Sequence, residues 1–65
     1  MITCLVSLPA GEKGWTREME FPAVPRVGEN VEIEGNEERT VKDVLWRLND
    51  SPYIILEPWP HDLEP

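Results

Sequence analysis

Hydrophobic and polar residues alternate with a two-residue period over much of this chain. That period is typical of β-strands that bury one face and expose the other. It predicts strands at residues 2–8, 15–21 and 30–34, followed by a last strand at 53–56 that is apolar on both faces. A strand with two apolar faces is expected in the interior of a sheet, or at a sheet edge that another part of the protein covers. Proline and glycine occupy the intervening stretches, as they do in loops, so the chain is predicted to be all-β.

Residues 39–48 fit two structures. Their apolar positions have the spacing of a short helix, yet valine and tryptophan favour strands. The step from Val41 to Val44 breaks the two-residue period, and a β-bulge near residues 42–43 would restore it. We therefore expect a strand with a bulge. Trp46 on this strand is expected in the core, and the alternative is an aromatic residue on a binding face.

Five short strands with tight connections predict a small five-stranded antiparallel barrel of SH3-like type, or a strongly bent sheet. We expect this β-barrel domain to occupy residues 1–56. Three prolines and three acidic residues follow it, so residues 57–65 are interpreted as a Pro-rich acidic tail.

The turn at residues 35–36 decides which residues face each other across the third and fourth strands. A loop with an odd number of residues places Val31 opposite Val41, and it places Arg39 opposite Ile33. An even loop sets Val31 against Thr40 or Lys42 instead. The hydrophobic pattern favours the odd loop.

The middle of the chain also carries a family resemblance, over about residues 20–48. The matching residues are Phe21-Pro22, Val24-Pro25-Arg26-Val27-Gly28-Glu29, Val31, Ile33, Gly35, Val41, Val44 and Trp46-Arg47. They resemble a pattern in small, mostly uncharacterised bacterial and phage proteins with SH3-like β-barrels. The resemblance implies the fold, and it assigns no functional residue.

Charge limits the partners that the chain can have. Its 65 residues include 6 Lys and Arg against 13 Asp and Glu, a formal net charge of −7. Such a surface repels nucleic-acid phosphates and anionic lipid, so we expect neither nucleic acid nor membrane as a partner. The N-terminus lacks the features of a signal peptide, and no apolar run is long enough to span a membrane. We expect a cytoplasmic protein.

Catalytic and metal-binding patterns are not apparent in the sequence. Cys4 and His61 are too few for a four-ligand metal site, and Cys4 is in phase with apolar neighbours. The chain is similar in size to plasmid-type trimethoprim-resistance dihydrofolate reductases, and it resembles them in the segment Phe21-Pro22…Gly28-Glu29-Asn30-Val31. It lacks their Val-Gln-Ile-Tyr substrate motif. Its charge also opposes an anionic nicotinamide cofactor. We expect no enzyme activity, no cofactor and no metal, with Cys4 acting as a buried small hydrophobe.

Two features are candidates for partner binding. Trp59 lies between prolines, so it either caps an open end of the barrel or serves as a stiff aromatic anchor. Five acidic residues lie within the ten positions 29–38, and no basic residue follows them until Arg39. They form a solvated strand face, or they meet a Lys/Arg patch on a partner. These residues are Glu29, Glu32, Glu34, Glu37 and Glu38.

The sequence thus indicates a non-catalytic protein-interaction module of unknown pathway. It would bind a protein, with a basic one favoured, through the acidic hairpin, a strand edge or Trp59. Homodimerisation is also expected of a small sheet, because pairing hides an exposed edge. The alternative is an acidic decoy or inhibitor from a phage or mobile element, which mimics nucleic acid because alternate strand carboxylates lie about 6–7 Å apart.

Overall fold

The computed structural model describes residues 1–35 and 37–60, without the side chains of Lys13 and Glu34. Four of the predicted strands have the predicted bounds. The elements in chain order are β1 (Ile2–Leu8), a 3-10 turn (Gly11–Lys13), β2 (Trp15–Phe21), β3 (Asn30–Glu34), β4 (Glu37–Leu45) and β5 (Tyr53–Leu56). The proposed division into a domain of residues 1–56 and a tail of residues 57–65 stays a prediction, since 61–65 lie outside the described residues.

The expectation of a bulged strand at residues 39–48 is confirmed, although β4 begins and ends earlier. Val41 pairs with Leu56, and the next pair is Asp43 with Ile55, which leaves Lys42 as the extra residue of a bulge. The prediction of a core position for Trp46 is wrong, since this side chain is 70% exposed. β4 ends at Leu45, so the strand alternation does not extend to the tryptophan.

The strands form one sheet in the order β2-β1-β5-β4-β3, curled into a half-barrel. The prediction of a purely antiparallel sheet is wrong, because β1 and β5 run parallel. The last strand lies between β1 and β4, the inner strands of two hairpins. Because these two run in opposite directions, β5 can be antiparallel to only one of them. Its double-sided apolar sequence suits this central place. The two outer strands of the half-barrel are β2 and β3.

The core lies on the concave face of the sheet. It contains side chains from β1, β3, β4 and β5, and Trp15, Met19 and Phe21 of β2 pack against it. Cys4 is fully buried within it, as expected, and burial raises the pKa of its thiol. The buried apolar residues are Cys4, Val6, Leu8, Ala10, Val31, Val41, Ile54 and Leu56.

A tight turn at residues 26–29 leads into β3. The Glu29 N–H donates to the Arg26 carbonyl (3.0 Å), and Gly28 between them has a φ of +93°. The Gly28 N–H donates to the Val41 carbonyl while the Val41 N–H donates to the Glu29 carbonyl. Two residues therefore face one, as in a glycine-containing bulge of the G1 type, which needs a residue that tolerates positive φ.

The β3–β4 register differs from the prediction. Val31 lies opposite Arg39 rather than Val41, and a shift between Glu32 and Glu34 brings Glu34 opposite Glu37. The extra residue in β3 keeps Val31 on the core face despite the short loop. As a result Arg39, not a valine, is its cross-strand neighbour.

Candidate functional site

Carboxylates face each other across the acidic hairpin, the name used here for residues 29–38. Glu32 and Glu38 are directly opposite in the register, and both side chains are exposed. Within residues 1–35 and 37–60, neither carboxylate forms an ion pair. Like charges in directly opposite strand positions destabilise a sheet. The Glu32–Glu38 pair is therefore negative charge that the described chain leaves uncompensated.

Glu29 has a different role from these two residues. One of its carboxylate oxygens accepts a hydrogen bond of 2.6 Å from the Arg26 N–H, across the turn that precedes β3. This contact holds the turn closed, so Glu29 contributes local structure as well as charge.

Arg39 is a residue of the candidate site whose burial the sequence analysis did not single out. It is 2% exposed, whereas the sequence marks it only as the basic residue that follows the acidic run and as the partner of Ile33 in the predicted register. Its guanidinium donates to the Glu38 carbonyl (2.7 Å) and lies 3.4 Å from a Glu37 carboxylate oxygen. The signal was present in the sequence, because Arg39 is two residues from the core residue Val41 and thus on the same face of β4.

Trp59 covers this buried cation. The Arg39 guanidinium carbon lies 4.0 Å from the centre of the tryptophan ring, a cation–π geometry. The ring is still 42% exposed, and it lines a pocket of about 240 Å³ together with Glu38. Trp59 thus packs back onto the sheet, and it keeps a face that solvent reaches. Its capping of an open barrel end stays a prediction.

The predicted site residues do not form one cluster. Glu37 joins Arg39 and Trp59, the Glu32–Glu38 pair lies beside them, and Glu29 serves the turn. The side chain of Glu34 lies outside the described residues. Partner binding by any of these residues stays a prediction.

An open groove of about 500 Å³ lies between the two outer strands, and we name it the β2–β3 groove. Sequence analysis did not locate it, because strand alternation does not reveal which edges remain unpaired. Its walls combine apolar and acidic side chains. β2 contributes Met19, Glu20 and Phe21, β3 contributes Asn30, Val31 and Glu32, and the connector between these strands contributes Pro22, Ala23, Pro25 and Glu29.

No group of three or more His, Cys, Asp or Glu residues in the described part of the chain could hold a metal ion. No helix among residues 1–35 and 37–60 has the length and apolar character needed to cross a membrane.

Comparisons of the chain with protein-family models, with curated proteins and with solved structures give no match.

Proposed function

We propose that this chain is a non-catalytic protein-interaction module, built on an SH3-like half-barrel, that binds a basic protein in the cytoplasm. The observation that carries this proposal is the cross-strand pair Glu32–Glu38, which the described residues do not neutralise. A Lys or Arg side chain placed between the two carboxylates would remove their repulsion and gain its own attraction.

The contacts of the neighbouring charged residues also favour the Glu32–Glu38 pair as the binding surface. Arg39 is buried beneath Trp59, so its guanidinium is not exposed beside the Glu32–Glu38 pair. Glu37 is engaged with Arg39, and Glu29 with the turn. The exposed pair Glu32–Glu38 therefore offers the most direct contact for a partner's basic residues.

The test compares two variants of equal net charge. One carries Glu32→Lys and Glu38→Lys, and the control carries Glu12→Lys and Glu57→Lys, exposed positions outside the acidic hairpin. Each has four more units of positive charge than the starting chain, so each has a net charge of −3 (−7 + 4). Proteins captured from cell extract by the unmodified chain and both variants are identified, purified and measured by titration calorimetry.

A partner specific to the acidic hairpin should bind the unmodified chain and the control, and lose affinity for the hairpin variant. Binding should weaken as salt rises from about 0.05 to about 0.5 M, because the Debye length shortens. Equal capture by both variants, or binding that salt does not affect, would contradict the proposed function.

A second candidate is the acidic decoy that mimics nucleic acid. Glu18 and Glu20 favour it, because they lie on the same exposed face of β2 at a spacing of about 6–7 Å. A decoy should compete with double-stranded DNA or RNA for the captured protein. Simultaneous binding of that protein to the chain and to nucleic acid would rule out this candidate.

A further inference from the structure

The free edge of β2 points its main-chain groups away from β1. The Leu5 N–H donates to the Pro52 carbonyl (2.9 Å), so Leu5 directs its main chain towards β5. In an antiparallel ladder, two opposite residues either both direct their N–H and C=O groups towards each other or both direct them away from each other. Glu18 is opposite Leu5, and it therefore presents its N–H and C=O at the outer edge. Glu20, two residues further on, does the same.

The same reasoning locates the free groups of β3. The Thr40 carbonyl accepts a hydrogen bond from the Glu57 N–H (2.8 Å), so Thr40 directs its main chain towards β5. Its cross-strand partner Asn30 must then direct its own main chain to the outer edge, as must Glu32. Both outer strands of the half-barrel thus present main-chain donors and acceptors, and both line the β2–β3 groove.

Side chains along the groove divide by face. Met19, Phe21 and Val31 are on the concave face, where they belong to the core or pack against it. Glu20 and Glu32 follow the opposite phase, and both are exposed. An extended chain in the groove would meet apolar side chains on one face and carboxylates on the other. Its matching sequence would alternate apolar and basic residues.

We propose that the β2–β3 groove binds an extended basic segment of a partner protein, which pairs with an outer strand and extends the half-barrel by a sixth strand. This inference rests on the proposed function, and it specifies how the partner binds. Strand addition to an exposed edge provides affinity through main-chain hydrogen bonds and specificity through alternate side chains.

The charge of the groove favours a basic segment over two other occupants, a second copy of the chain and the chain's own C-terminal residues. A second copy would bring Glu18 and Glu20, or Glu32, against the acidic walls of the groove, and like charges in opposite strand positions are unfavourable. The chain's own residues 57–65 contain three acids and no Lys or Arg. A basic segment from another protein is the occupant that complements Glu20, Glu29 and Glu32.

The probe is a synthetic eight-residue peptide of alternating lysine and valine, titrated into the full chain. A first control has the same composition with its lysines and valines in two separate blocks. A second is the alternating peptide with methylated main-chain nitrogens, which cannot donate ladder hydrogen bonds. Two-dimensional NMR follows the chemical shifts and the hydrogen exchange of the backbone amides.

The alternating peptide should slow exchange of free-edge amides at least tenfold on β2 (Glu18 and Glu20), on β3 (Asn30 and Glu32), or on both strands. The methylated peptide should produce no such protection. Salt-sensitive binding of all three peptides, with shifts confined to Glu37 and Glu38, would overturn the strand-addition proposal while leaving the proposed function intact. Binding of none of the basic peptides would count against both. A dimer that protects the same amides without peptide would also overturn the proposal.

A pair of charge variants provides a second measurement. Glu20→Gln with Glu32→Gln should weaken binding of the alternating peptide by roughly two- to thirtyfold, the expected effect of two surface ion pairs. The control, Glu12→Gln with Glu57→Gln, has the same net charge and should bind as the unmodified chain does. Equal weakening in both variants would indicate general attraction to an acidic protein and would overturn the groove as the binding site.

Discussion

The two hairpins of this sheet differ in how their registers are set. The β1–β2 hairpin runs through seven consecutive pairs without a shift, from Ile2 opposite Phe21 to Leu8 opposite Trp15. The β3–β4 hairpin begins at a glycine bulge, shifts again after Glu32, and turns Arg39 inward. The β1–β2 hairpin also has an arginine on its inward phase, Arg17 opposite Val6, but that side chain is exposed and stacks on Trp15, so apolar burial determines the register. In the β3–β4 hairpin the inward arginine is buried, so further contacts must satisfy its charge, and Glu37, the Glu38 carbonyl and Trp59 provide them.

The largest expected loss of stability comes from a substitution in the apolar core. Ile54 is fully buried at the centre of the sheet, and Ile54→Ala should cost about 2–5 kcal/mol of unfolding free energy. A core of this size supplies only about 3–5 kcal/mol, so the variant should retain at most about 3 kcal/mol of it at 25 °C. Urea denaturation followed by circular dichroism measures this loss.

The neighbouring Ile55 provides the control. It projects from the opposite face of β5 and is only half-buried. Ile55→Ala should remain folded and lose less stability. Equal losses at the two positions would mean that the concave face is not the main core.

The bulge that begins the β3–β4 hairpin gives the next effect. Gly28→Ala places a side chain at a φ of +93°, and the left-handed region costs other residues about 1–2 kcal/mol. Open space surrounds the added methyl group, so the loss reports the backbone alone. Gly28→Asn should recover part of the stability, because asparagine tolerates positive φ. An alanine variant as stable as the original would show that this turn does not determine where β3 begins.

Alanine substitutions at two tryptophans compare the stability contributed by a ring stacked on the buried arginine with that of a ring in solvent. Trp59→Ala should lose about 0.5–2 kcal/mol, because it removes the ring stacked on Arg39. Trp46→Ala should change stability by less than about 0.5 kcal/mol, since this side chain is 70% exposed. Equal small changes would mean that the Trp59 stack does not stabilise the buried charge.

Local sequence pattern was sufficient to predict four strands with their bounds and the bulge in β4. It was not sufficient for relationships between strands. Parallel pairing of β1 with β5 depends on where the last strand fits between two hairpins, which alternation does not encode. The burial of Arg39 depends on a stacking partner twenty residues later in the chain, although its phase with Val41 indicated the face.

The candidate site shows the same division. The acidic residues at positions 29–38 are evident in the sequence, but the different contacts that each of them makes are not. The register decides that Glu32 faces Glu38, and the turn geometry decides that Glu29 binds the Arg26 N–H. The β2–β3 groove depends on strand order, so no local pattern predicts it.

The most direct test of the central claim, that the acidic hairpin carries uncompensated repulsion, is the unfolding free energy of Glu38→Lys against Glu12→Lys. Both substitutions change the net charge equally, but only the first converts the Glu32–Glu38 pair into opposite charges. At low salt, Glu38→Lys should exceed Glu12→Lys in stability by about 0.2–1 kcal/mol, and about 1 M salt should remove most of the difference. Equal stability of the two variants at low salt, or a less stable Glu38→Lys, would contradict the claim.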